Sequence, residues 1–164
     1  MLRRWAVTMI TVLILGSDPL WAQDSKGTDS SMTLPDGSVY EGGMQNGKFN
    51  GQGRMDYADG RQYTGEFKDG LFDGQGLLVY ADGSKYEGQF KEGLFSGQGI
   101  LTYSDGSSYK GHFRNGTFNG QGDLTILGGE RYLGKFKDGE MDGAQAVDAK
   151  GNPIPAKASD NPAA

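Results

Sequence analysis

The chain contains no cysteine and one histidine, His112, and only 5 of its 164 residues are proline. Without cysteine there is no disulfide framework, thiolate metal site, cysteine nucleophile or lipid-modified cysteine anchor. One histidine excludes a multi-histidine metal centre within a single chain. Phosphate-cradling loops are also missing, since neither G-x-G-x-x-G nor G-x-x-x-x-G-K-[ST] occurs. What the chain has in excess is glycine, at 29 positions, more than twice the usual ~7%. No G-X-Y triplet runs through it, which rules out collagen. A chain so rich in glycine folds only if the glycines are placed to a pattern.

Met1 to Ala22 reads as a secretory leader: Arg3 and Arg4 precede the apolar run Trp5 to Leu15, and Ala22 sits before an expected cleavage point at Gln23. The run is too short for the ~20 residues that span a bilayer. Loss of Arg3, Arg4 and Asp18 takes the formal charge from −5 to −6. That balance opposes non-specific nucleic-acid binding and attraction to anionic lipid. The expected location is therefore outside the cytoplasm, periplasmic or extracellular. Residues 23–35 read as a disordered spacer and residues 144–164 as a disordered tail, both polar and small in composition, with a short capping role open to Ala144 to Val147.

A 23-residue period fills residues 36–143. Tyr40, Tyr63, Tyr86, Tyr109 and Tyr132 begin successive units. Each is followed two residues later by Gly42, Gly65, Gly88, Gly111 or Gly134, and two further on by Met44, Phe67, Phe90, Phe113 or Phe136. A turn glycine comes next at 47, 70, 93, 116 and 139, then Gly-Gln-Gly at 51–53, 74–76, 97–99 and 120–122, with Asp-Gly closing the first three units. Period-2 alternation, as in Ser84 to Phe90, predicts a strand with tyrosine, glycine and phenylalanine on one face. Gly97, Gly99, Leu101 and Tyr103 are expected to share a face of the return strand. Each unit is thus a β-hairpin, and ten strands at ~4.8 Å spacing would make one antiparallel sheet some 45–50 Å long. Glycine weakens a strand, so its recurrence implies that a neighbouring ring covers each bare backbone patch. Tyr86 and Phe90 are expected to pack across Gly88, against Leu101 and Tyr103.

Tyr63 to Gly76 (YTGEFKDGLFDGQG) closely resembles the membrane occupation and recognition nexus (MORN) repeat, and the pattern recurs in the units starting at Tyr40, Tyr86 and Tyr109. The resemblance implies an all-β fold, an elongated single-layer antiparallel sheet of consecutive hairpins. It also implies scaffolding and protein contact, with homodimers frequent and lipid head-group binding described for some members. Neither the kinase nor the methyltransferase domain that follows such repeats elsewhere is expected after the last repeat, where about 20 residues remain. The pattern lapses at Met44, at Ile126, at Leu127 to Glu130, and after Gly143, where the fifth unit is expected to lack its second strand.

No catalytic constellation emerges, so no enzyme activity, cofactor or metal site is expected. His112 occupies a variable strand position beside no acid/base partner. The Asp-Gly pairs serve turns, since no calcium loop motif contains them. The informative deviations lie on the face that should be polar: Leu77, Val79 and Ile100 stand where other units carry charge, and Leu71 and Leu94 join them near the turns. These five residues form the candidate partner surface. The expected function is an exported, non-catalytic scaffold or adaptor making protein–protein contact in the cell envelope, with a homodimer as one form of that contact. Peripheral phospholipid head-group binding is the alternative.

Overall fold

A strand of seven residues, a two-residue turn, a strand of nine and a five-residue turn fill each of the first four 23-residue periods. The computed structural model describes residues 30–154; the expected leader, and the outer parts of the expected spacer and tail, lie outside these residues. The strands are β1 (Ser30–Thr33), β2 (Val39–Gln45), β3 (Lys48–Asp56), β4 (Gln62–Lys68), β5 (Leu71–Val79) and β6 (Lys85–Lys91). They continue as β7 (Leu94–Thr102), β8 (Ser108–Arg114), β9 (Thr117–Thr125), β10 (Arg131–Lys137), β11 (Glu140–Met141) and β12 (Gln145–Val147). All pair antiparallel in chain order, with β11 and β12 both on β10. No helix occurs among the described residues. The all-β, single-sheet, consecutive-hairpin architecture is as the repeat pattern implies.

The two-residue turns have both central residues at positive φ, as in Glu92 (51°) followed by Gly93 (83°). This is the type I′ geometry whose twist matches the flanking strands. Asn, Asp and Glu take the first place across the five units, so glycine supplies only half of the left-handed backbone that the sequence requires.

Straight strands do not describe the hairpins. In the first, register runs from Val39↔Asp56 to Gly42↔Gly53 and resumes at Met44↔Phe49, so one residue opposes three. The same shift recurs at Gly65/Phe67, Gly88/Gln89 and Gly111/Phe113. Such a bulge bends the strand pair. Tyr40 is opposite Met55, and Phe49 is six residues further along the strand, about 20 Å away if β3 were straight. The rings of Tyr40 and Phe49 are nevertheless stacked with centroids 4.0 Å apart. Each hairpin is therefore creased, and the core lies inside the crease.

That core is an aromatic ladder. Tyr63 stacks on Phe72 at 3.7 Å, Tyr86 on Phe95 at 3.8 Å and Tyr109 on Phe118 at 3.8 Å. Phe67, Phe90, Phe113 and Phe136 meet the preceding unit's tyrosine edge-on, as in Tyr63–Phe90 at 5.2 Å. Each such pair adds about 0.5–1.5 kcal/mol beyond burial, and together they couple every unit to the next. Four tyrosines, 40, 63, 86 and 109, are fully buried. Their hydroxyls donate to the carbonyls of Gly43, Glu66, Gln89 and His112, inside or beside the bulges where ladder pairing lapses. The bulge thus frees an acceptor and the ring brings the donor.

Several expectations need correction. Tyr86 does lie over Gly88, as expected, and also over Gly99, so the ring that covers this glycine pair comes from the same hairpin and not from an adjacent unit. Tyr103 is exposed, because β7 ends at Thr102 and Tyr103 already belongs to the turn closed by Gly106 and Ser107. The expected spacer contributes β1, which pairs with β2 from Ser30↔Gly42 to Thr33↔Val39. Met32 faces Tyr40 there as Met55 does from the other side, so β1 is the end of an incomplete earlier unit. The expected tail is structured to Ile154, and the fifth unit does have its return strand, with Leu133↔Gln145, Tyr132↔Ala146 and Arg131↔Val147. Its bulge is one residue shorter and Met141 stands in the place of the stacking phenylalanine. Tyr132 is accordingly only half-buried and donates to Glu130. Val147 is buried opposite Arg131 on the outer face, while Ala144 packs against the end of the core.

Candidate functional site

The inner face is consumed by the ladder, so recognition falls to the outer face and to the turns. Strand register places Glu41, Arg54, Thr64, Leu77, Glu87, Ile100, Lys110, Asp123 and Leu133 in one transverse outer row. Leu77 and Ile100 both stand directly opposite Glu87. Val79 lies in the next row, between Gln62 and Lys85. Leu71 and Leu94 are opposite Lys68 and Lys91 beside the I′ turns, across the crease from the other three.

The five candidate residues therefore form two groups instead of one patch. Leu71, Leu94 and Ile100 are exposed, at 49%, 50% and 39%, while Leu77 and Val79 are half-buried between their charged neighbours. Leu133, 44% exposed in the same row as Leu77 and Ile100, belongs with them. Its place on a first strand conceals it in the sequence, where the other apolar deviations fall on return strands and turns.

His112 is exposed on β8, and its ring nitrogens lie 2.9 and 3.1 Å from the side-chain amide of Gln98 on β7. No carboxylate joins this pair. Among the described residues no group of three or more histidine, cysteine or acidic residues is placed to hold a metal ion. The aspartates of the Asp-Gly pairs cap the five-residue turns. Asp36, Asp59, Asp82 and Asp105 each accept the backbone N–H two residues on, at 2.8 to 3.1 Å. For Asp59 the Arg61 N–H, and for Asp105 the Ser107 hydroxyl and N–H, hold the carboxyl below its ordinary range.

These turns stack along one rim of the sheet. Leu34, Tyr57, Tyr80, Tyr103 and Ile126 head them, each accepting a hydrogen bond from the turn glycine and donating one across the turn. Asp36, Asp59, Asp82, Asp105 and Glu130 give these five turns their charge, with Arg61 their one cation, and a sixth turn of the same hydrogen-bond pattern carries Asp148 and Lys150. The opposite rim is mixed in sign, with Lys48, Lys68, Lys91, Arg114 and Lys137 beside its acidic residues. Burial raises the phenol pKa of Tyr57, Tyr80 and Tyr103. The sequence displays the 23-residue spacing of these tyrosines, but their position on a turn conceals that they form a row.

A family model described as the MORN repeat matches residues 40–60, 63–85, 86–108 and 109–126, which together are just over half of the chain. Among curated proteins none matches this chain. The matched segments begin at the four fully buried tyrosines, so the family signature and the aromatic ladder are one feature.

Proposed function

The chain belongs to the MORN-repeat family, and from that premise we propose that it is an exported, non-catalytic scaffold or adaptor that contacts protein partners in the cell envelope or outside the cell. The observation that carries this reading is the outer row in which Ile100 and Leu77 flank Glu87. The fold does not need them there, because the interior is closed by the aromatic ladder on the other face. Apolar groups set among charges on a stiff sheet suit a partner that buries the aliphatic groups and pairs the charges at the margin. The leader pattern supports export, and the isolation of His112 from any acid/base partner supports a non-catalytic role.

The test is proximity labelling in the native host with the chain tagged at its C-terminal end, comparing the unaltered protein with a Leu77→Lys/Ile100→Lys variant. Loss of specific labelled proteins from the variant, with its circular dichroism unchanged, supports the adaptor reading. An identical labelling pattern rejects this surface. Salt-sensitive flotation with anionic liposomes, in the absence of any protein partner, would favour head-group binding instead.

A further inference from the structure

The turn rim has a pitch. Successive turns are two strands apart, about 9.6 Å at the usual strand spacing. Tyr80, half-buried against the core, and the exposed Tyr103 therefore stand at that interval, with Ile126 next in line. Tyr57 is different, because the Arg61 guanidinium lies 4.5 Å over its ring and pairs with Asp59 at 2.8 Å. Ser84 and Ser107 take the place of Arg61 in the next two turns and leave the tyrosines without such a cover. The rim is also held firmly. Ala58 donates its N–H to the Ser38 hydroxyl at 3.1 Å, and Ser104 donates to that of Ser84 at 3.0 Å, with both serines buried.

An extended ligand lying along this row must repeat at a matching distance. A polyproline II helix advances about 9.3 Å in its three-residue turn. A β-strand repeats a face every ~6.7 Å, and an α-helix turns every ~5.4 Å; neither matches. Proline-rich segments also dock between aromatic side chains without ordering a flexible backbone. Charge sets the second property of the ligand. Along the turns at 80–84, 103–107 and 126–130 stand Asp82, Asp105 and Glu130, with no lysine or arginine. We propose that the Tyr80–Tyr103–Ile126 rim docks a proline-rich segment in polyproline II form, with lysine or arginine between prolines spaced by three. The tyrosines take the prolines, and the turn carboxylates take the cations.

Fluorescence anisotropy with a labelled peptide of repeated Pro-Ala-Arg triplets tests this on the full mature chain. Binding should weaken as salt rises, and a Pro-Ala-Glu peptide should not bind. Removing the rings in Tyr80→Ala/Tyr103→Ala should weaken binding by about tenfold or more, the effect of losing an aromatic anchor. Tyr103→Ala alone is the safeguard against misfolding, because this residue is 41% exposed and lies outside the core. Asp82→Asn/Asp105→Asn retains an oxygen to accept the turn N–H and should flatten the salt dependence. The rim shares no residue with the outer-face leucines, so the Leu77→Lys/Ile100→Lys variant should bind this peptide normally. Equal binding of a Gly-Ala-Arg peptide would reduce the effect to plain charge attraction and overturn the proposal. So would absence of Pro-Ala-Arg binding, or binding that survives loss of both rings.

Discussion

The hydroxyl end of Tyr86 lies over the backbone of Gly99 on the facing strand. A β-carbon placed on Gly99 would stand 2.5 Å from that oxygen and 2.7 Å from two ring carbons. The same hydroxyl donates to the Gln89 carbonyl at 2.8 Å, so the ring has no direction in which to retreat. This contact joins the glycine pattern to the crease, since the bulge at Gly88/Gln89 frees the acceptor that fixes the ring.

Gly99→Ala should therefore destabilise the protein through overpacking, by about 1–3 kcal/mol. Gly93→Ala is the contrast: open space surrounds that position and only its φ of 83° resists a side chain, at about 1 kcal/mol. Urea unfolding of both variants checks the difference. A larger loss at Gly93 would show that backbone conformation outweighs the ring contact.

Phe95→Ala should cost about 3 kcal/mol, because its ring stacks on Tyr86 and meets Phe90 and Phe113 edge-on at 5.6 and 5.8 Å. The adjacent Leu94→Ala, at a half-exposed position, should stay within about 0.5 kcal/mol. Thermal melts of the two variants side by side measure the gap.

Glu92 holds a φ of 51° where Asn46 and Asn115 hold the same place in other units. Asn-Gly is the preferred pair for this turn. Glu92→Asn should accordingly raise stability by about 0.5 kcal/mol, seen as a higher urea midpoint with an unchanged slope.

Burial holds the phenols of Tyr63 and Tyr86 well above their ordinary pKa of 10.0. In the unfolded chain these groups lose their protons near pH 10, while in the folded chain they keep them. The stability they contribute is complete below that pH and falls as pH rises above it. A urea midpoint that declines above about pH 10, together with tyrosinate absorbance appearing as the sheet unfolds, is the expected result. A midpoint that stays flat while tyrosinate forms in the folded protein would contradict the burial.

Ending the chain at Gly143 removes β12 with its buried Val147, which is 6% exposed, and takes Ala144 away from the end of the core. Compared with a chain ending at Ile154, this should cost about 2 kcal/mol, the burial of one valine side chain. Equal urea midpoints for the two lengths would mean that the pairing with β10 carries no stability.

Much of the fold was legible because the repeat varies so little. Asn-Gly and Asp-Gly marked the turns, and Tyr-x-Gly-x-Phe marked an inner face. The weaker ends were not legible. Met32 and Val147 lack the aromatic and glycine signature, and they are recognised only by their pairing with Tyr40 and Arg131. Phe49, Phe72, Phe95 and Phe118 recur every 23 residues as regularly as the tyrosines. A return strand taken to begin at Gly97 leaves Phe95 in the turn, whereas the strand begins at Leu94.

By itself, the sequence determined the period, the two turn positions in each unit, the pairing of neighbouring strands and the acidic balance. These depend on local backbone preference and on which residue follows which. Tertiary structure alone decided that each hairpin folds over its own tyrosine, that Leu71 and Leu94 part from Leu77, Val79 and Ile100, and that Tyr80 and Tyr103 share a rim. The physical reason is the bulge, where unequal lengths of backbone meet across a strand pair. That mismatch changes side-chain direction and bends the sheet, and its effect exists only once both strands are in place.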